Sequence, residues 1–280
     1  MVSRAAGRRG GGAEGVLRER SEWAQGDTCK WYLWIDETAR PGWANMAIDQ
    51  TLLERAEQLG ERWLRLYRWA PHCLSFGRHE PAARRYDKQR IAALGMDTVR
   101  RPTGGRAVWH AEELTYAVAA PSAQFGSLCA AYREIHGMLA EALSQLGAPV
   151  YLAPSIRTPA LDAGACFSQP VGGEIMMSGR KVVGSAQLRS GGALLQHGSI
   201  LLQDNQAVVL GVTSGERPTS HPPPAAESWA RGGDIARAIS TAATLRWQAT
   251  WDRADDRSAV LSRASSHYER YRSVAWTWVR

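Results

Sequence analysis

The sequence has no uninterrupted apolar stretch approaching the roughly 18 residues needed to span a membrane, and its start lacks the apolar block of a secretory signal. Both absences predict a soluble chain located in the cytoplasm, with no membrane partner. Cysteine is scarce: Cys29, Cys73, Cys129 and Cys166 are the 4 cysteines, and they stand far apart. That spacing excludes the close pairs of zinc sites and of small disulfide scaffolds, so all four read as free thiols. No internal repeat is present, which excludes solenoid architectures.

What is present suffices for a core. Hydrophobic residues make up 44% of the 280 positions, enough for one large domain or two small ones. The formal charge of +7 and a sequence pI near 9.5 suit acidic partners such as nucleic acids, acidic carrier proteins or anionic small molecules. Part of that excess lies in Met1–Gly26, where Arg4, Arg8, Arg9, Arg18 and Arg20 stand among glycines and alanines. Such a composition cannot bury enough apolar surface to order itself. Residues 1–26 are therefore expected to be a disordered basic tail or an overextended start rather than a nucleic-acid arm, with residues 27–280 forming a single domain.

Hydrophobic periodicity supplies the elements. Trp31 to Ile35 reads as an opening strand, and Met46, Asp49, Leu53 and Ala56 repeat at helical spacing within a helix from Trp43 to Leu59. Trp63 to Trp69 alternates Leu64 and Leu66 with Arg65 and Arg68, and with Cys73 to Phe76 it reads as a hairpin whose arginines form the wet face of a sheet. A helix is expected over Arg84 to Leu94, an extended segment over Asp97 to Arg101, and a strand over Leu114 to Ala119. Leu128, Tyr132, Ile135, Leu139, Leu143 and Leu146 make one apolar stripe, stopped by Gly147 and Pro149. Strand-like pieces follow at Glu174–Met177, Lys181–Leu188 and Ala193–Leu202; after a proline-rich loop at Pro218–Pro224 come helices over Asp234–Trp247 and Arg257–Tyr271. Helices and strands mix without strict alternation, so the fold class is α+β rather than doubly wound.

Four constellations carry possible chemistry. In Arg100-Arg101-Pro102-Thr103-Gly104-Gly105-Arg106, running on to His110, two glycines let the backbone approach a ligand closely while the arginines add charge. A tight turn explains the same glycines, and the lysine and hydroxyl residue of a nucleotide-binding P-loop are absent. Cys166, in Ala165-Cys166-Phe167, becomes a nucleophile only if a cation lowers its thiol pKa from about 8.5, and Lys181 in Gly179-Arg180-Lys181-Val182-Val183-Gly184-Ser185-Ala186-Gln187 is the candidate cation. A small buried thiol is the alternative for Cys166. His197, in Gln196-His197-Gly198-Ser199, reads either as a hydrogen-bonded core residue or as a base.

In this order the motifs resemble the catalytic domain shared by lipoate-protein ligases, biotin-protein ligases and octanoyltransferases, over about Trp31 to Leu210. Arg101, Thr103, Gly104, Gly105, Arg106 and His110 look like the family's acyl-binding loop, and Gly179–Gln187 like its catalytic-lysine strand, with Gly184, Ser185 and Gln187 beside Lys181. Asn45–Asp49 looks like the first helix, and Ser75-Phe76-Gly77-Arg78 like the early hairpin turn. Ala-Cys-Phe upstream of the lysine, Arg106 in place of a third glycine, and Gln196-His197-Gly198-Ser199 look most like the cysteine octanoyltransferases of the LipM type. Ala111 departs from the pattern, since family members often carry aspartate after the histidine.

The resemblance implies a central mixed sheet flanked by helices, with the glycine loop and lysine strand lining an acyl tunnel. It implies catalytic Cys166 and Lys181, with Arg101, Thr103, Gly104, Gly105, Arg106, His110, Gly184, Ser185, Gln187 and His197 binding substrate. Octanoyl-acyl carrier protein would be the donor and a lipoyl-domain lysine, such as that of the glycine-cleavage H protein, the acceptor, with no cofactor, metal or nucleotide. An ATP-dependent lipoate ligase and an octanoyl amidotransferase are the rival enzyme readings. A non-catalytic nucleic-acid-binding protein is the rival of another class; scattered arginines and the lack of a recognised binding module argue against it.

Overall fold

The computed structural model describes residues 29–154, 173–215, 231–252 and 257–278. Its main sheet has eight strands among these residues, in the order β11 (Ala249–Asp252), β1 (Cys29–Ile35), β2 (Trp63–Tyr67), β6 (Glu113–Pro121), β10 (Ala193–Leu201), β9 (Arg180–Ser190), β8 (Ile175–Met177), β7 (Val150–Leu152). The β11–β1–β2 pairings are parallel and the rest antiparallel. A second, three-stranded sheet runs β4 (Asp97–Arg100), β3 (Cys73–Phe76), β5 (Val108–His110). The mixed sheet flanked by helices is the α+β architecture expected from the sequence.

The central strands have no wet face. All of β10 is buried, and so is β6 up to Ala120, because helices cover both sides. On one side, Ile135, Leu139 and Leu143 of α2 (Leu128–Gln145) and Ile235 and Ile239 of α3 (Gly232–Trp247) pack on Leu114, Tyr116, Val118 and Ile200. On the other, Met46, Ile48, Leu52 and Leu53 of α1 (Gly42–Leu59) pack on Tyr67, Ala117, Ala119 and Leu195. Val260, Ala264 and Tyr271 join that second cluster, and α1 accordingly buries more than a single stripe. Burying a leucine or isoleucine side chain contributes about 1.5–3 kcal/mol, so these two layers supply most of the hydrophobic stabilisation. No helix of the described residues is long and apolar enough to cross a membrane.

Several expectations need correction. The segments Trp63–Tyr67 and Cys73–Phe76 are not a hairpin: β2 pairs with β1 and β6, while β3 crosses to the small sheet. Local alternation cannot reveal a change of sheet. Nor is Arg65 on a wet face, for it is fully buried and paired with Asp36 and Asp49. The helix expected over Arg84–Leu94 is two short ones, Ala82–Arg85 and Lys88–Ala93, with Asp87 capping the second. Arg257–Tyr271 likewise breaks at a 3-10 turn, Ser265–His267. Residues 1–26, Ala165-Cys166-Phe167 and the Pro218–Pro224 loop lie outside the described residues.

Candidate active site

The glycine loop bridges β4 and β5, and its shape is held by a buried arginine. Arg101 donates from Nη1 to the Ser75 carbonyl at 2.9 Å and from Nη2 to the Gly104 and Arg106 carbonyls at 3.2 and 2.8 Å. Arg101 thus organises the loop from inside. The loop lies against the turn after β3: a Cβ on Gly77 would come within 1.8 Å of the Gly105 carbonyl oxygen, and Gly105 has φ +90°. Only glycine allows either feature. Arg100 points the other way, donating to the carbonyls of Gly77, Arg78 and Glu80 and to those of Trp276 and Thr277.

His197 joins the loop to the sheet. Its Nδ1 lies 2.8 Å from Asp49 Oδ2 and its Nε2 2.6 Å from Thr103 Oγ1. Asp49 also accepts from Arg65 Nη1 at 3.0 Å and from the Tyr67 hydroxyl at 2.8 Å. The carboxylate can only accept, so Nδ1 carries a proton and donates to Asp49. His197 thus ties the loop, through Thr103, to Asp49 on α1.

His110 is held in the same manner. It stacks on Trp69 with ring centroids 3.8 Å apart, its Nδ1 donates to Glu113 Oε1 at 2.7 Å, and its Nε2 lies 2.6 Å from Ser75 Oγ. Burial pushes the imidazole below its ordinary pKa although Glu113 pulls the other way. Thr115 and Ser199 donate to the same Glu113 oxygen.

On the opposite side of the sheet, Ser185 Oγ contacts the Tyr116 hydroxyl at 2.6 Å and His136 Nε2 at 2.8 Å. His136 Nδ1 reaches the Gly173 carbonyl at 2.7 Å. Gln187 donates to Leu128 O and to Gln196 Oε1, and Gln196 donates to the Tyr116 hydroxyl. Gly198 leaves room for this: a Cβ there would lie 2.4 Å from Ser185 Oγ.

Between loop and sheet lies a cavity lined by Met46, Tyr67, Trp69, Arg101, Val108, His110, Thr115, Gly184, Ser185, Ala186, His197, Gly198 and Ser199. Of the residues expected to bind substrate, Arg101, His110, Gly184, Ser185 and His197 are in its wall, and Thr103 supports it through His197. Gly104, Gly105, Arg106 and Gln187 are not wall residues: the first three stand in the overlying loop, and Gln187 belongs to the hydrogen-bond chain behind it. Lys181 is buried, 2.5 Å from Glu174 Oε1. Among the described thiols, burial raises that of Cys73 well above its ordinary range, and Cys129 is exposed.

Sequence reasoning did not single out Glu113, His136 and Glu174 as site residues, and placed Asp49 on a helix stripe and in the first-helix motif Asn45–Asp49 without a role of its own. Asp49 had a signal, being an acid on an otherwise apolar helix face, which demands a buried partner. Glu174 and His136 had none.

The family model of the lipoyl protein ligase A/B catalytic domain matches residues 41–230. Octanoyltransferase LipM of Moorella thermoacetica is 40% identical over 177 residues, covering 61% of this chain and 65% of that protein. Octanoyltransferase LipM of Carboxydothermus hydrogenoformans is 41% identical over 174 residues, covering 60% of this chain and 64% of that protein. The chain thus spans just under two thirds of the length of these relatives. The crystal structure of lipoate-protein ligase A bound with ATP superimposes with a TM-score of 0.71 at 19% identity, covering 89% of this chain and 99% of the other, a likeness of fold.

Proposed function

Because the chain belongs to the lipoyl protein ligase A/B catalytic-domain family, we propose that it is a cytoplasmic protein N-octanoyltransferase of lipoate biosynthesis. Octanoyl-acyl carrier protein is the donor and a lipoyl-domain lysine, such as that of the glycine-cleavage H protein, the acceptor. The Cys166 thiolate attacks the donor's thioester carbonyl, the carrier's sulfur leaves as a thiolate, and an octanoyl thioester forms on Cys166. The neutral acceptor amine then attacks that thioester; the Cys166 sulfur leaves, the amine sheds a proton, and an amide results. Both halves pass through a tetrahedral oxyanion, for which backbone N–H groups and Lys181 are the donors. The scheme needs neither metal nor nucleotide.

The observation that carries this reading is the cavity under the glycine loop, walled in part by Met46, Val108 and Ala186. Apolar walls beside a few polar groups such as Arg101 suit an acyl chain and its carbonyl. The similarity to octanoyltransferases supports the choice of acyl group.

Intact-mass analysis after mixing with octanoyl-acyl carrier protein, with and without ATP, tests it. An added octanoyl mass without ATP, absent from Cys166→Ala, is expected. Modification of the acceptor only with free acid and ATP would establish the ligase chemistry instead, and octanoyl taken only from an already octanoylated lipoyl domain would establish the amidotransferase.

A further inference from the structure

The hydrogen bonds around Ser185 have only one consistent direction. A backbone carbonyl can only accept, so His136 Nδ1 carries a proton and donates to Gly173 O. His136 is fully buried, and burial holds its pKa down to about 4, with the Lys181 charge acting the same way, so the ring is neutral at physiological pH. Nε2 is therefore bare and accepts from the Ser185 hydroxyl. The Ser185 oxygen, having given its only proton, accepts from Tyr116. The Tyr116 oxygen accepts from Gln196, whose Oε1 accepts from Gln187.

This chain crosses β9, β10 and β6, enters α2 and ends on Gly173. That terminus is confined from three sides: Gly173 N donates to Ala153 O, Ala153 N donates to Glu174 O, and the Tyr132 ring lies 3.7 Å from where a Cβ on Gly173 would stand. The next residue, Glu174, carries the carboxylate paired with Lys181. Ser185 lacks the character of a second nucleophile, since it receives a hydrogen bond from Tyr116 and faces a base too weak to deprotonate it.

We propose that His136 is a positioning residue that ties Ser185, in the cavity wall, to the Gly173 carbonyl and thereby fixes the Glu174–Lys181 ion pair. The inference rests on the octanoyltransferase reading for what Lys181 does, while the tie itself is a property of the fold. It goes beyond that reading because it assigns work to a histidine outside the residues proposed for the chemical step.

The two ring nitrogens are tested separately by His136→Asn, whose amide N–H replaces Nδ1–H, and His136→Gln, whose amide oxygen replaces Nε2 as acceptor. Octanoyl transfer is measured for both variants beside thermal stability. His136→Asn, keeping the donor to Gly173, is expected to retain kcat within about threefold, whereas His136→Gln loses about 10- to 100-fold in kcat with little change in KM, the range that follows when a reacting group is misplaced by an ångström or less. Equal kcat in the two variants, whether preserved or lost, would overturn the proposal. If neither variant folds, the wild-type chain decides: ¹⁵N–¹H correlation of the His136 ring at pH 7 should show a neutral Nδ1–H tautomer. An Nε2–H tautomer or a protonated ring would sink the idea. That spectrum does not depend on activity, so it stands apart from the intact-mass experiment, whose failure would remove the acyl-transfer reading alone.

Discussion

Lys181 Nζ and Glu174 Oε1 lie 2.5 Å apart, and both side chains are buried. A cation proposed to favour the thiolate of Cys166 thus has a carboxylate already beside it, which shares its field. A buried pair of this kind contributes little net stability when intact, because desolvation offsets attraction, yet removing one partner strands the other.

Glu174→Gln is therefore expected to lower unfolding stability by about 3–5 kcal/mol and to speed iodoacetamide labelling of Cys166 near neutral pH, because the charge of Lys181 is then no longer shared with the Glu174 carboxylate. Lys181→Ala should slow the same labelling. Rates measured against pH in proteins with Cys29, Cys73 and Cys129 replaced would show three separated curves; superimposable ones would mean that Lys181 does not tune the thiol.

Arg65 is fully buried, donating to Asp49 Oδ1 at 3.0 Å, Asp36 Oδ2 at 2.9 Å and Asn45 Oδ1 at 2.8 Å. Arg65→Leu leaves the buried Asp49 without its guanidinium and Asp36 with Arg40 alone, and a loss of about 3–5 kcal/mol in urea unfolding is expected. Arg65→Lys should not restore it, since a single ammonium cannot span the fork geometry of the guanidinium.

Gly77 and Gly104 separate loop shape from loop contact. A Cβ on Gly77 collides with the Gly105 carbonyl oxygen, whereas one on Gly104 meets nothing within 4 Å. Gly77→Ala should cost about 1–3 kcal/mol of stability and depress acyl transfer with it. Gly104→Ala should leave the melting temperature within about 1 °C, a shift well below that of a 1 kcal/mol change, and raise KM if an acyl donor passes over it. Thermal melts and steady-state kinetics on the two variants distinguish these outcomes.

How much of this was legible depends on whether the signal was local. The α2 stripe, the β9 and β10 segments and the glycine loop were readable because each obeys a short-range rule of periodicity or turn chemistry. The crossing of β3 into a separate sheet was not, because sheet membership is decided by partners tens of residues away. Arg65 was misread for a related reason: alternation with leucines signals a wet face only when no acid is brought over it, and Asp49 arrives on α1 from 16 residues upstream. Loop residues Thr103 and His110 were identified through resemblance, but their partners His197, Glu113 and Ser75 become evident only when the strands are assembled. Glu174 and His136 carry no local mark at all.

The depressed pKa of His136 gives a pH dependence whose sign can be worked out. The unfolded ring binds a proton near pH 6.5 and the folded ring only near pH 4, so between these values the unfolded state holds more protons. Stability contributed by the neutral ring is fully present above about pH 6.5 and is lost as pH falls towards 4, by up to roughly 3 kcal/mol over that span. His110, also lowered by burial, acts in the same direction, while Asp97, raised by burial, opposes it at the acid end. His136→Asn cannot titrate there, so subtracting its stability profile from that of the wild type isolates the His136 contribution from the other two. Unfolding free energies from urea titrations at half-unit steps between pH 4.5 and 7.5 should show a wild-type curve that rises with pH and a variant curve that is visibly flatter. Parallel curves would mean that His136 takes up its proton without strain, which would place it in contact with water rather than sealed between Ser185 and Gly173.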